Sequence, residues 1–133
     1  MDASLCALNL QTMELLWAGA NNPLWIYRSN EKRLEEVKPD KQPIGKTHDP
    51  GEFTTHKLFL SHGDIIYLFT DGFADQFGGE KNKKLTKSVF RALLQDIAHL
   101  NMEEQKTRLL NFYTLYKGTN EQIDDVCVIG VRL

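Results

Sequence analysis

The chain has 133 residues, 41% of them hydrophobic and 26% charged, with a formal charge of −2. Such figures suit one globular domain with a single core and exclude wholesale disorder. The near-neutral balance gives no electrostatic ground for nucleic acid or an anionic membrane as partner. The longest apolar runs fall far short of the roughly 20 residues that a membrane-spanning helix needs.

Taken in order, the first half reads as strands. Ser4 to Leu10 is apolar and "NLQTME" supplies a polar turn. Leu15 to Ala20 is a second run, broken at "GANNP", and Leu24 to Arg28 is a third. After "RSNEKR" a short edge-like strand is expected around Leu34 to Val37. Trp17 and Trp25 are expected to face each other across the turn as core packing. Lys38 to Glu52 holds three of the four prolines and two glycines, so it is a loop, and its Pro39 to Gly51 stretch could border a substrate groove. Phe53 to Leu60 alternates as a half-exposed strand. "SHGD" is expected to make a hairpin turn around Gly63, leading to Ile65–Phe69 as a buried central strand.

Beyond Gly79 the period changes. Leu85, Val89, Leu93 and Ile97 recur at fourfold spacing, which predicts an amphipathic helix of about four turns. Asn101 with Glu104 forms a capping box for a second helix, with Met102, Leu109, Leu110, Tyr113 and Tyr116 facing the core and Gly118 closing the end. Val126 to Leu133 is a last strand. The fold class is therefore α+β, helices packed on antiparallel strands. Cys6 and Cys127 lie in apolar runs with no CxxC pair. They read as two buried reduced thiols of a cytoplasmic protein, with a disulfide between the first and last strands as the alternative. No charged stretch followed by an apolar one stands at the start of the sequence, so export is not expected.

Two places join carboxylates to buried strands: Asp71, after the central strand in "TDG", and Asp124-Asp125, before the last. If those strands are antiparallel neighbours, the acids converge on one rim. At ~5 Å and an effective dielectric of 20 such a pair repels by about 3 kcal/mol, and a hard divalent ion turns that cost into attraction. Strand alternation sends Asp124 and Asp125 to opposite sides, so only one can share an ion with Asp71. The plain alternative is that "TDG" is a turn and the paired aspartates guard a strand end.

"GDIIYLFTDGFADQ", two helices and then "QIDDVCVIGVRL" resemble the C-terminal portion of bacterial PPM-type, protein phosphatase 2C-like serine/threonine phosphatases, in the subgroup of stage II sporulation protein E. "CALNLQTMELLWAGANNPLWIYR" and "DKQPIG" extend the resemblance over nearly the whole chain. It implies part of an αββα sandwich with a binuclear Mn²⁺ or Mg²⁺ centre, in which Asp71 and Asp124 match metal ligands and Gly72 and Asp125 lie beside them. It also implies a phosphorylated regulatory protein of anti-anti-sigma type as substrate. Family members carry a glutamate and two aspartate-glycine elements upstream of the "CAL" strand, and Met1 falls directly on that strand. Residues 1–133 are thus expected to be a single partial phosphatase domain, short of the N-terminal metal ligands and weak or inactive alone. An uncovered sheet is expected to favour self-association. The rival readings are a non-catalytic phosphatase-like interaction module and an unrelated α+β binding domain.

"GGEKNKK" lacks the order of a nucleotide P-loop. Lys81, Lys83, Lys84 and Lys87 read as a solvated helix start, and His48, His56, His62 and His99 show no ligand spacing.

Overall fold

The computed structural model describes residues 1–45 and 51–133. His48 and part of the Pro39–Gly51 loop lie outside the described residues. Two compact units are present: residues 1–68 with 131–133, and residues 69–130.

The first unit is built from strands. β1 (Ala3–Asn9), β2 (Glu14–Ala20), β3 (Leu24–Arg28), β4 (Arg33–Val37), β5 (His56–Phe59) and β6 (Ile65–Phe69) follow one another in sequence. Asn9 makes the β1–β2 turn by accepting hydrogen bonds on its Oδ1 from the amides of Gln11 and Thr12. One sheet has the order β1-β2-β5. The other has the order β4-β3-β6-β9, where β9 is Val128–Arg132. Leu15 and Trp17 of β2 meet Leu24 and Ile26 of β3, with Leu60 and Ile66, in one buried cluster, so the two sheets enclose a core. Each aliphatic side chain fully withdrawn from water there contributes about 1.5–3 kcal/mol. On the other face of the first sheet Leu5, Leu16 and Phe59 stay exposed.

Three sequence expectations change here. Trp17 and Trp25 do not face each other. Trp17 pairs with Cys6 and donates Nε1–H to Ser4, whereas Trp25 lies opposite Glu36 and Tyr67 and donates to the Glu36 carboxylate. The strand from Phe53 shortens to β5 because the adjoining backbone is already taken: the Asp40 amide bonds Gly19, and the Asp40 carboxylate holds both the amide and hydroxyl of Thr54. The turn at Gly63 is not a hairpin but a crossing between sheets, since β5 pairs with β2 and β6 with β3.

A buried carboxylate pins that crossing. Asp64 accepts from the amides of Ser29 and Ser61, from the Ser29 hydroxyl and from the Arg28 guanidinium, which also reaches Glu35 and the Phe59 carbonyl. Burial alone would push the Asp64 carboxyl up. The two amides, with Arg28 and the Ser29 hydroxyl, outweigh it and hold the group below the usual carboxylate range.

The second unit begins with α1 (Gly72–Asp75), a two-residue ladder of β7 (Phe77–Gly78) and β8 (Lys83–Lys84), then α2 (Lys87–Ile97) and α3 (Met102–Lys117). Of the four lysines expected at a helix start, Lys87 does open α2, whereas Lys83 and Lys84 form a strand rung, and Lys84 pairs with Asp75 at 3.2 Å. α2 is shorter than expected and is rotated by one position. Phe90, Leu94 and Ile97 are buried on it, while Val89 is 42% exposed. Aromatic packing fixes that rotation: Phe90 stacks on Phe73 at 4.3 Å and meets Phe69 edge-on at 5.2 Å. The capping box at α3 forms as the spacing predicts, and Gly118 caps the far end. Leu110 is exposed and Gln105 is buried instead, donating to the carbonyls of Ala98 and Leu100. Both cysteines are free. Cys127 is exposed and Cys6 half-buried, contrary to the expectation of two buried thiols. The architecture is α+β with antiparallel sheets and helices, as the residue pattern implies.

Candidate metal centre

Asp71 follows β6 as the N-cap of α1, where a carboxylate ordinarily accepts from an amide of the first turn. Its side chain makes no such bond and is exposed, while the Asp71 carbonyl accepts from the amide of Asp75. An aspartate used merely to shape this turn would spend its oxygens on the turn.

Asp124 and Asp125 lie in an irregular stretch that ends where β9 begins at Val128. The alternation expected for a strand therefore does not govern them. Asp124 turns one oxygen to the amide of Asp125 at 2.7 Å, leaving the other directed elsewhere, while Gln122 donates to the Asp124 carbonyl. Asp125 contributes its main chain, whose carbonyl accepts from the Thr70 hydroxyl at 2.7 Å. That hydroxyl in turn accepts from the Cys127 amide, and the Thr70 amide donates to the Cys127 carbonyl.

The stretches carrying Asp71 and Asp124 pack directly together. Gly72 is buried, and a Cβ there would overlap the carbonyl oxygen of Asp125 and lie 3.3 Å from the carbonyl carbon of Asp124. Only a hydrogen fits in that space, so glycine is required for the approach itself. Its dihedral is not left-handed, so the position requires space rather than a special backbone conformation.

One further group borders this stretch. Gln76 is fully buried; its amide nitrogen donates to the carbonyls of Phe77 and Glu121, and its oxygen accepts from the Tyr113 hydroxyl at 2.7 Å. Burial pushes the Tyr113 phenol up, so it stays protonated and able to donate. Sequence reasoning took Tyr113 as core and missed Gln76, because a glutamine after a short helix carries no periodic signal. Thr70 was equally silent, although Thr beside Asp at a strand end is a common source of local side-chain to backbone bonds.

Among the described residues no group of three or more His, Cys, Asp or Glu side chains is placed to hold a metal ion. Asp71 and Asp124 are the hard oxygen donors that Mg²⁺ and Mn²⁺ take, but two carboxylates fill only part of either ion's shell. The donor chemistry fits; the donor number is incomplete.

The fold coincides with that of PP2C-type phosphatase domains. The SiaA-PP2C domain of Pseudomonas aeruginosa is similar at a TM-score of 0.90 and 30% identity, over 99% of this chain and 51% of that one. The RsbU and RsbW domains of a Mycobacterium tuberculosis protein match at 0.76 and 19%, over 98% and 35%. The manganese-presoaked phosphatase domain of the Bacillus subtilis cell-fate determinant SpoIIE matches at 0.71 and 16%, over 99% and 56%. The chain thus spans about half the length of the first of these, and less of the second. No curated protein matches. The stage II sporulation protein E (SpoIIE) model matches residues 1–133, and the chain belongs to that family.

Proposed function

We propose that this chain contributes two metal-binding carboxylates, Asp71 and Asp124, to a serine/threonine phosphatase site of PP2C type that uses Mn²⁺ or Mg²⁺. The observation that carries the reading is an N-cap aspartate that does not cap, packed through a buried glycine against the stretch bearing a second aspartate. The manganese-presoaked relative supports the choice of ion class. A divalent ion in such a site supplies charge neutralisation at phosphorus and an activated water. The residues of this chain supply position: Thr70 and Gly72 bring the two main-chain stretches into register, and the exposed oxygens of Asp71 remain available to a cation. Asp125 acts through its carbonyl and amide rather than its carboxylate.

The substrate class we infer is a phosphoserine or phosphothreonine regulatory protein of anti-anti-sigma type, acting in the cytoplasm. The relative that joins an RsbU to an RsbW domain supports a protein partner. One observation favours a second reading, a non-catalytic phosphatase-like interaction module: the described residues hold no group of three or more candidate metal ligands.

Titration with Mn²⁺, followed by the paramagnetic resonance of the free ion, separates the two readings. The first expects binding that Asp71→Asn and Asp124→Asn each weaken by at least tenfold, about 1.4 kcal/mol. Equal binding by all three chains would leave the interaction module standing.

A further inference from the structure

The two carboxylates sit on stretches joined at more than one point, and the joints all issue from one short segment. Thr70, just before Asp71, grips the Asp125 carbonyl and the Cys127 amide. Gln76, five positions after Asp71, grips the Glu121 carbonyl at 2.9 Å. Asp124 lies between those two anchor points. We propose that Gln76, locked by Tyr113, is a positioning residue that together with Thr70 clamps the 121–127 stretch and so sets Asp124 opposite Asp71.

The chemistry of the amide makes the assignment specific. Gln76 meets two carbonyl oxygens with its two N–H groups and one hydroxyl donor with its oxygen, so every capacity it turns inward is used. Glutamate has the same shape but no N–H. At this position it would set a carboxylate oxygen against the carbonyls of Phe77 and Glu121. Tyr113 is anchored independently by its ring, 5.2 Å from Phe73, so its hydroxyl is a fixed donor rather than a mobile one. The stretch from Glu121 to Cys127 has no regular secondary structure of its own, so these side-chain bonds, with the Thr70 amide on the Cys127 carbonyl, hold its path. Partners that orient a metal ligand typically change metal affinity by about 10–100-fold when removed.

This inference rests on the metal reading above, and the experiment separates the two. The 133-residue chain, Gln76→Glu, Tyr113→Phe and Leu94→Ala are compared for Mn²⁺ affinity, for thermal midpoint and for amide hydrogen exchange at 121–127. Leu94 is a fully buried aliphatic helix residue that makes none of these bonds, so its variant reports loss of stability. The clamp expects Gln76→Glu and Tyr113→Phe to weaken Mn²⁺ about tenfold and to speed exchange at Asp125 and Cys127. Leu94→Ala is expected to lower the midpoint while keeping parental Mn²⁺ affinity and exchange in that stretch. Parental affinity and exchange in Gln76→Glu would overturn the clamp and leave the metal reading intact. If the parent chain binds Mn²⁺ no better than Asp71→Asn, the metal reading falls. The positioning role falls with it, whatever the exchange data show.

Discussion

The two ends of β6 each carry an aspartate, and they are opposites. Asp64, at the entrance, is 1% exposed and collects bonds from two amides, a hydroxyl and a guanidinium. Asp71, at the exit, is exposed and makes no capping bond. The same residue type therefore does two jobs within eight positions, and the difference lies in how many donors the fold brings to it. A fully satisfied buried acid belongs to the fold. An acid at a cap position that makes no capping bond is the one the proposed metal reading draws on.

Removing the satisfied acid should have the largest effect. Asp64→Ala leaves Arg28 and two amides without their shared partner, and a loss of about 3–5 kcal/mol in urea unfolding is expected. The pH dependence follows from the sign of the shift. A carboxyl whose folded value is depressed adds stability that is fully present above its unfolded value near ~3.9 and is lost as pH falls through the folded value. The parent chain should therefore lose stability on acidification below about pH 4, and this limb should flatten in Asp64→Asn. An unchanged acid limb would show that Asp64 is not a contributor.

Smaller is Asn101→Ala, which deletes the bond from the Glu104 amide to the Asn101 side-chain oxygen, leaves the backbone half of the capping box, and should cost about 1 kcal/mol. Smallest in stability is Asp71→Asn, expected within ~0.5 kcal/mol of the parent because its carboxylate is exposed and makes no capping bond. The comparison breaks if Asp71→Asn destabilises as strongly as Asp64→Ala.

Much of the strand half was legible in the sequence. Polar punctuation such as "NLQTME" and the fixed bounds of Leu24–Arg28 rest on local turn chemistry, and local chemistry is visible in a string of residues. Which sheet each strand joins was not visible. The turn at Gly63 looked like a hairpin because hairpins are the usual short connection, whereas Asp64 and Arg28, far apart in sequence, hold it as a crossing. The face of α2 was misread by one position because aliphatic spacing ignored Phe90, whose stacking on Phe73 sets the rotation.

For the candidate site the pattern is similar. Asp71 and Asp124 were legible because each acid stands beside an apolar run, and the likeness of their motifs to a known family named them. Thr70, Gln76 and the space kept by Gly72 were not legible as partners, since each matters only through a stretch about 45 to 55 positions away.

By itself the sequence determined the local elements and the identity of the acids, because propensity, capping and turn formation act over a few neighbouring residues. Only the tertiary structure decided which acid is satisfied and which is left open. Donors reach a carboxylate through space, and the fold alone sets which donors those are.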